Sequence, residues 1–458
     1  MTVIHSISLD DWQERYAALQ AGGLREPWYG GPLARHVDDG DTRLRHLRYD
    51  PSAASLRLWN FLLTEESRLR EAKASGRKIV GAMKDLGTVP VLAFAFPELV
   101  AMYPDGAWWI PCVMEVNTRL LGIADSLGFD ESFCPVRAML GAFVSGDHFP
   151  IPDLLVCSVG ATCDDFSAIA QGLNGLGYPI LWWEIPHRRR PDPGEAAVIL
   201  PGGMAAPRSQ VELVELEFGR IQRALEQLAG RQLSQAELAD GIRQANRYRR
   251  GLAELRDLVY GASPAPLPAL EIMIMEMIAL HFCSDRAESL VLLDEVLAEV
   301  RRRVAAGEGT SPADAVRVYW VNPVADLRMM NLFEEVGGRL AGADFMFTHS
   351  LQEIPEDLPP LEALARTALA DPMAGPASDR ADFVIGEMRR YGAEALAISR
   401  IPGGSHCTGE AEVIRRKVSE TLGVPVVEFE CPSLIEGMEQ ALRTRLQALM
   451  ETARARRK

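Results

Sequence analysis

The residues most able to do chemistry are seven cysteines. Cys112, Cys134, Cys157 and Cys163 fall between positions 112 and 163, Cys283 stands alone, and Cys407 and Cys431 lie near the end. Thiolates ligate metals, exchange disulfides and act as nucleophiles. The first residues, Met1 to Asp10, have no basic flank and too short an apolar core for a signal peptide, so the expected setting is cytoplasmic. Cytosolic thiols are kept reduced, which disfavours a disulfide framework. No CxxC pair occurs, so a zinc ribbon or a simple ferredoxin motif is not supported.

The predicted fold is α/β: two Rossmann-like parallel-sheet domains with a helical insertion and a helical N-terminal leader. Residues 1–85 read as the leader, with Asp10 and Asp11 as caps of a first helix. In the first α/β domain, 86–206, strands are expected at 89–96, 153–157 and 179–185, alternating with helices at 113–127 and 164–176. A Pro-, Gly- and Arg-rich stretch at 186–206 reads as a linker. A helical segment at 207–312 follows, with Ser234 and Glu237 spaced as a capping box. The second α/β domain, 313–458, has expected strands at 316–321, 344–348, 395–399 and 424–429, and helices at 325–341, 379–391, 409–422 and 434–452. The two domains suggest a structural duplication without a visible sequence repeat.

Ligands in open α/β sheets gather beyond the carboxyl ends of strands. Cys163 and Cys407 follow such ends, and Cys134 precedes an expected helix at 136–143. All three stand near helix N-termini, where free N–H groups lower a thiol pKa and favour an anionic metal–sulfur cluster. The competing explanation is that each is a small core residue. Three ligands from separated loops would leave one iron of a cluster open. Cys157 and Cys431, at strand ends, read as core, as does Cys283; Cys112 is open to either explanation.

Other candidates accompany them. His406 could donate a proton or a hydrogen bond, and Glu98 and Asp164 could be acid/base groups, although capping explains Asp164 equally well. His187, Arg188 and Arg189 follow a strand end and could hold the phosphates of a CoA-like ligand, or be a solvated linker. The Trp pairs at 108–109 and 182–183 and His281 read as core. The formal charge of −15 disfavours nucleic acid as a partner. No apolar run reaches the length of a membrane span, and no Walker A sequence is present, so ATP hydrolysis is not expected of this chain.

Several blocks resemble the 2-hydroxyacyl-CoA dehydratase / benzoyl-CoA reductase family. They are Phe133-Cys-Pro-Val-Arg137, Pro152-Asp-Leu-Leu-Val156 with Ala161-Thr-Cys163, the helical stretch around Asn246, the strand–helix opening at 316–344, and Ser405-His-Cys407 with Gly423-Val-Pro425. The likeness spans roughly 85–452. The chain is similar to the dehydratase D-component and related to double-cubane cluster proteins. The resemblance implies a four-iron four-sulfur (4Fe-4S) cluster on Cys134, Cys163 and Cys407. It also implies a related second subunit or a copy of this chain, an ATP-hydrolysing iron–sulfur activator that donates single electrons, and an acyl-CoA substrate that is dehydrated or reduced. The Cys-Ser-Tyr-Ala-Arg sequence usual in the dehydratases is here Cys134-Pro-Val-Arg137, closer to the reductase and double-cubane branches. A double-cubane reductase using Cys112, Cys157 and Cys431 as further ligands is one alternative. A cluster-free scaffold subunit paired with an active paralogue is another.

Overall fold

The computed structural model describes residues 2–84, 87–104, 116–281 and 284–457. Apolar runs become parallel strands because both faces are covered and nothing forces alternation. The first sheet contains β1 (Lys78–Met83), β2 (Leu99–Met102), β3 (Leu154–Gly160) and β4 (Ile180–Ile185) in the order β2-β1-β3-β4. The second contains β5 (Val316–Val321), β6 (Gly338–Asp344), β7 (Ala395–Arg400) and β8 (Val426–Glu430) in the order β6-β5-β7-β8. Every neighbouring pair is parallel. The two sheets therefore share one strand order, with a switch point beside the first strand of each. The duplication suggested by sequence is one of topology.

Some elements differ from expectation. Residues 89–96, expected as a strand, hold a short buried helix, Val89–Phe94, with Pro90 at its start. A fully apolar run lacks the period that separates helix from strand, and proline suits a helix's first turn. The first two strands of the sheet are β1 and β2 instead, and β1 lies before the expected boundary at 86. In the second unit the expected helix 325–341 covers only Arg328–Glu335, and the expected strand 344–348 gives way to β6 and a 3-10 turn, Phe347–Leu351. Glycine obscured β6. A Cβ at Gly338 would stand 2.2 Å from the Phe333 ring, and Gly342, at φ 114°, lies against Tyr319 where the ladder shifts register. These are close-approach positions that weaken any strand signal.

The leader is largely helical, and its first helix, Leu9–Ala21, is capped by Ser8 in a capping box with Asp11. The expected linker turns back as an antiparallel hairpin, Ala197–Ile199 with Ala205–Pro207. The helical segment comprises Arg208–Ala229, Gln235–Gly261, Ala269–His281 and Arg286–Ala306, and the Ser234–Glu237 capping box is present. Helix Gln235–Gly261 ties the units together. Buried Asn246 donates to the Ile354 carbonyl at 2.8 Å and accepts from the Ile354 N–H at 2.9 Å. Arg249, one turn on, donates to the Gly87 carbonyl at 2.6 Å and to the Gln352 carbonyl. Buried backbone groups of both units thereby find partners on one helix.

Candidate functional site

Three cysteine-bearing helix starts meet at the carboxyl ends of the sheets. Beyond β3 the chain turns sharply. Gly160 has φ 93°, and a Cβ there would stand 2.2 Å from the Ile185 carbonyl. Thr162 holds φ 76°, a genuine outlier for a β-branched residue, and its buried Oγ1 has no hydrogen-bond partner among the described residues. This turn delivers Cys163 as N-cap of helix Asp164–Gly175. Held strain of this kind is concentrated at functional sites.

Cys134 is the N-cap of the 3-10 turn Pro135–Arg137, and its loop is clamped by Arg137, whose guanidinium donates to the Phe133 carbonyl at 3.0 Å. The turn packs against helix Asp164–Gly175. From the second unit, the loop after β7 brings Gly403 onto the same loop. Its φ is 76°, and a Cβ there would lie 2.4 Å from the Phe133 carbonyl oxygen, so only glycine fits. Helix Ser405–Leu422 begins two residues later. Ser405 donates to Asp165 from its N–H at 2.6 Å and from its hydroxyl at 2.5 Å. Cys407 lies in the first turn of that helix; its side chain and that of His406 lie outside the described residues. The backbone segments of Cys134, Cys163 and Cys407 are thus brought together, although 240 positions separate Ser405 from Asp165.

The electrostatics differ from the expected depressed thiol. Burial pushes the Cys163 thiol up to about 11, against the Phe166 and Asp165 N–H groups of the helix start. A bound cation would supply the charge that desolvation withholds, and N–H groups aimed at sulfur suit a cluster thiolate. That donor chemistry fits an iron–sulfur group. Among the described residues no three metal-capable side chains form a ligand cluster, and the third cysteine side chain is outside them.

Lys84 is the functional candidate that sequence reasoning missed. It sits at the carboxyl end of β1, at the switch point of the first sheet, buried and with φ 53°. Its ammonium donates to Ser167 Oγ at 2.8 Å and to the Gly160 carbonyl at 3.4 Å. Burial lowers its pKa, opposed by Cys157, Cys163 and Asp164. A lysine ending the apolar run 79–83 was the available signal, hidden because β1 was not recognised.

Other candidates lie elsewhere. Glu98 immediately precedes the edge strand β2, at its amino end, whereas Cys163 lies beyond the carboxyl end of the inner strand β3, and Glu98 pairs with Arg231 at 3.1 Å. The structure does not bring it to the cysteines. Arg188 is buried and spends its guanidinium on the Leu369 and Asp371 carbonyls and on Asp379. Arg189 is forked onto Glu195 at 2.6 Å, and His187 is exposed. Of the expected phosphate-binding run, Arg188 is therefore a wall of the fold, because buried carbonyls and a carboxylate already satisfy it. Cys157 is buried within β3, opposite Trp182. Cys431 is buried after β8, its thiol pushed up to about 12 by burial. Trp183 is buried against Phe218. Cys112, Cys283 and the 108–109 pair lie outside the described residues, as does the side chain of His281.

No described helix is long and apolar enough to cross a membrane. No curated protein matches the chain. A family model, 2-hydroxyglutaryl-CoA dehydratase, D-component, matches residues 95–453, which include all three helix starts of the cysteine locus. With more than three quarters of its length matched, the chain belongs to the 2-hydroxyglutaryl-CoA dehydratase D-component family.

Proposed function

We propose that this dehydratase component is the iron–sulfur subunit of an acyl-CoA dehydratase, with Cys134, Cys163 and Cys407 as the ligands of a 4Fe-4S cluster. The observation that supports this most is the meeting of three cysteine-bearing helix starts through Gly403 on Phe133 and Ser405 on Asp165. When bound, such a cluster supplies single low-potential electrons to the thioester. The chain's own residues do the rest. The Phe166 and Asp165 N–H groups face the Cys163 sulfur, Arg137 fixes the Cys134 loop, and Asp165 fixes the Cys407 helix. Lys84 adds a buried positive charge near the Cys163 sulfur, which favours the more negative, reduced site. His406, adjacent in sequence to Cys407, is the proposed proton donor. The partners are a related subunit or a second copy, and an ATP-hydrolysing activator.

Anaerobic purification with iron and sulfide counts tests the reading, with about four of each expected per chain. Cys134→Ala and Cys163→Ala should lose the iron, while Cys431→Ala, in the core, should keep it. Absence of iron from anaerobic protein would sink the proposal in favour of a cluster-free scaffold, and about eight iron atoms would favour the double-cubane alternative.

A further inference from the structure

A second site lies away from the cysteines, in a cavity of about 710 Å³ between the Arg188–Arg190 run, the 202–205 turn and helix Ala377–Tyr391. This is within the roughly 300–1,000 Å³ of small-molecule pockets. Its lining contains five arginines against three carboxylates, in a chain whose net charge is −15.

Four of those arginines are committed. Arg188 and Arg189 are bound as described, Arg256 pairs with Glu276 and Glu387, and Arg390 with Asp257. Arg190 is the exception. Its side chain is 84% exposed and, among the described residues, makes only a 3.7 Å pair with Asp379. Thr348, also in the lining, is 5% exposed, and among the described residues its Oγ1 has no hydrogen-bond partner. A buried hydroxyl without a partner is costly, and a ligand's polar atom would remove that cost. Between the two, the stripe Asp379, Phe383, Glu387 and Tyr391, spaced by four on one helix, forms a wall. Phe383 is half-buried, and its ring stands edge-on to His349 at 5.9 Å. An aromatic face and planar guanidinium groups are flat surfaces suited to a flat ligand.

We infer that this cavity binds a planar aromatic anion, its rings on Phe383, a polar atom at Thr348 and its negative group at Arg190. Among the described residues no cysteine lines it, and its test requires no bound cluster, so its failure would leave the acyl-CoA reading standing.

The probe is 8-anilinonaphthalene-1-sulfonate, titrated calorimetrically into the full-length chain. One site per chain is expected, weakened about tenfold or more by Arg190→Glu, a loss of about 1.4 kcal/mol or more. Ala253→Trp, which fills the cavity, should act likewise. Leu216→Ser removes an exposed apolar side chain on the outer helix Arg208–Ala229, where the probe could adhere, and should leave affinity unchanged. Displacement by 2-naphthoate and not by octanoate supports the planar aromatic class; equal displacement by octanoate overturns it. Affinity unmoved by both Arg190→Glu and Ala253→Trp, or lost in Leu216→Ser, overturns the site. Thermal unfolding of Arg190→Glu, at an exposed position, checks that its fold is intact.

Discussion

At the scale of single residues, Lys84 shows how position alters the meaning of a charge. An ammonium buried at a strand end loses hydration, and its two hydrogen bonds, to Ser167 and Gly160, only partly replace it. Removing a buried charge is strongly destabilising where it leaves a charged partner behind, but the hydrogen bonds of Lys84 go to a hydroxyl and a carbonyl, both neutral. Lys84→Met is therefore expected to keep or raise the thermal midpoint. It should also move the potential of the proposed cluster more negative, because one positive charge near the Cys163 sulfur is gone. Thermal unfolding and a redox titration check the two halves, and a lowered midpoint with an unmoved potential would show a purely structural lysine. The acidic side chains show the opposite effect. Glu271, buried, and Glu334, half-buried, both near Asp50, are each pushed up to about 8 by desolvation.

At the scale of elements, the site depends on turns more than on the helices they start. Gly403 combines a left-handed φ of 76° with a backbone carbonyl where a Cβ would stand. Gly403→Ala should cost about 1–3 kcal/mol, and it should separate the Cys407 helix from the Cys134 loop. Gly409, inside the same helix with open space around it, is the internal control. Gly409→Ala should be neutral or stabilise by about 0.5–1 kcal/mol. Denaturant midpoints of the two variants, with their iron content, compare turn against helix. Loss of stability in both, or in neither, would contradict the role assigned to the turn.

At the scale of the molecule, a buried ionic network joins elements of the second unit behind the site. Arg380, fully buried, bonds Asp344 at the end of β6 at 2.8 Å, Glu410 on the Cys407 helix at 2.7 Å, and Asn322 after β5 at 2.9 Å. His349 sits between Asp344 at 2.7 Å and Asp371 at 2.9 Å. Burial alone would lower the His349 pKa, but Asp371 and Asp344 outweigh it and raise it to about 9. Burial likewise works against the Asp344 carboxylate, while Arg380 and His349 hold it well below the usual carboxylate range. A base whose folded pKa exceeds its unfolded value of about 6.5 binds more protons in the native state. Its contribution is complete below about pH 6.5 and is lost as pH rises through about 9. Urea unfolding across that window should show stability falling with pH, and His349→Gln should flatten the fall. An unchanged slope in the variant would assign the effect to other groups.

The amino-acid sequence by itself determined the class of fold, most of the helices and the cysteine pattern. Helical amphipathicity, caps such as Ser234–Glu237, and strands such as Val316–Val321 are local, so they can be read where they stand. The run at 89–96 and the glycine-rich β6 were not legible, because burial and close approach act across space. The same limit applied to the candidate site. The three cysteine segments could be singled out by their places before helices, while Lys84, Thr162 and Gly403 acquire meaning only from neighbours distant in the chain. The tertiary structure alone decided that Glu98 stands at the amino end of an edge strand and that Arg188 is a buried wall. It also decided that burial outweighs the helix start at the Cys163 thiol. Pairing and desolvation depend on what surrounds a group in three dimensions, and no spacing along the chain encodes that.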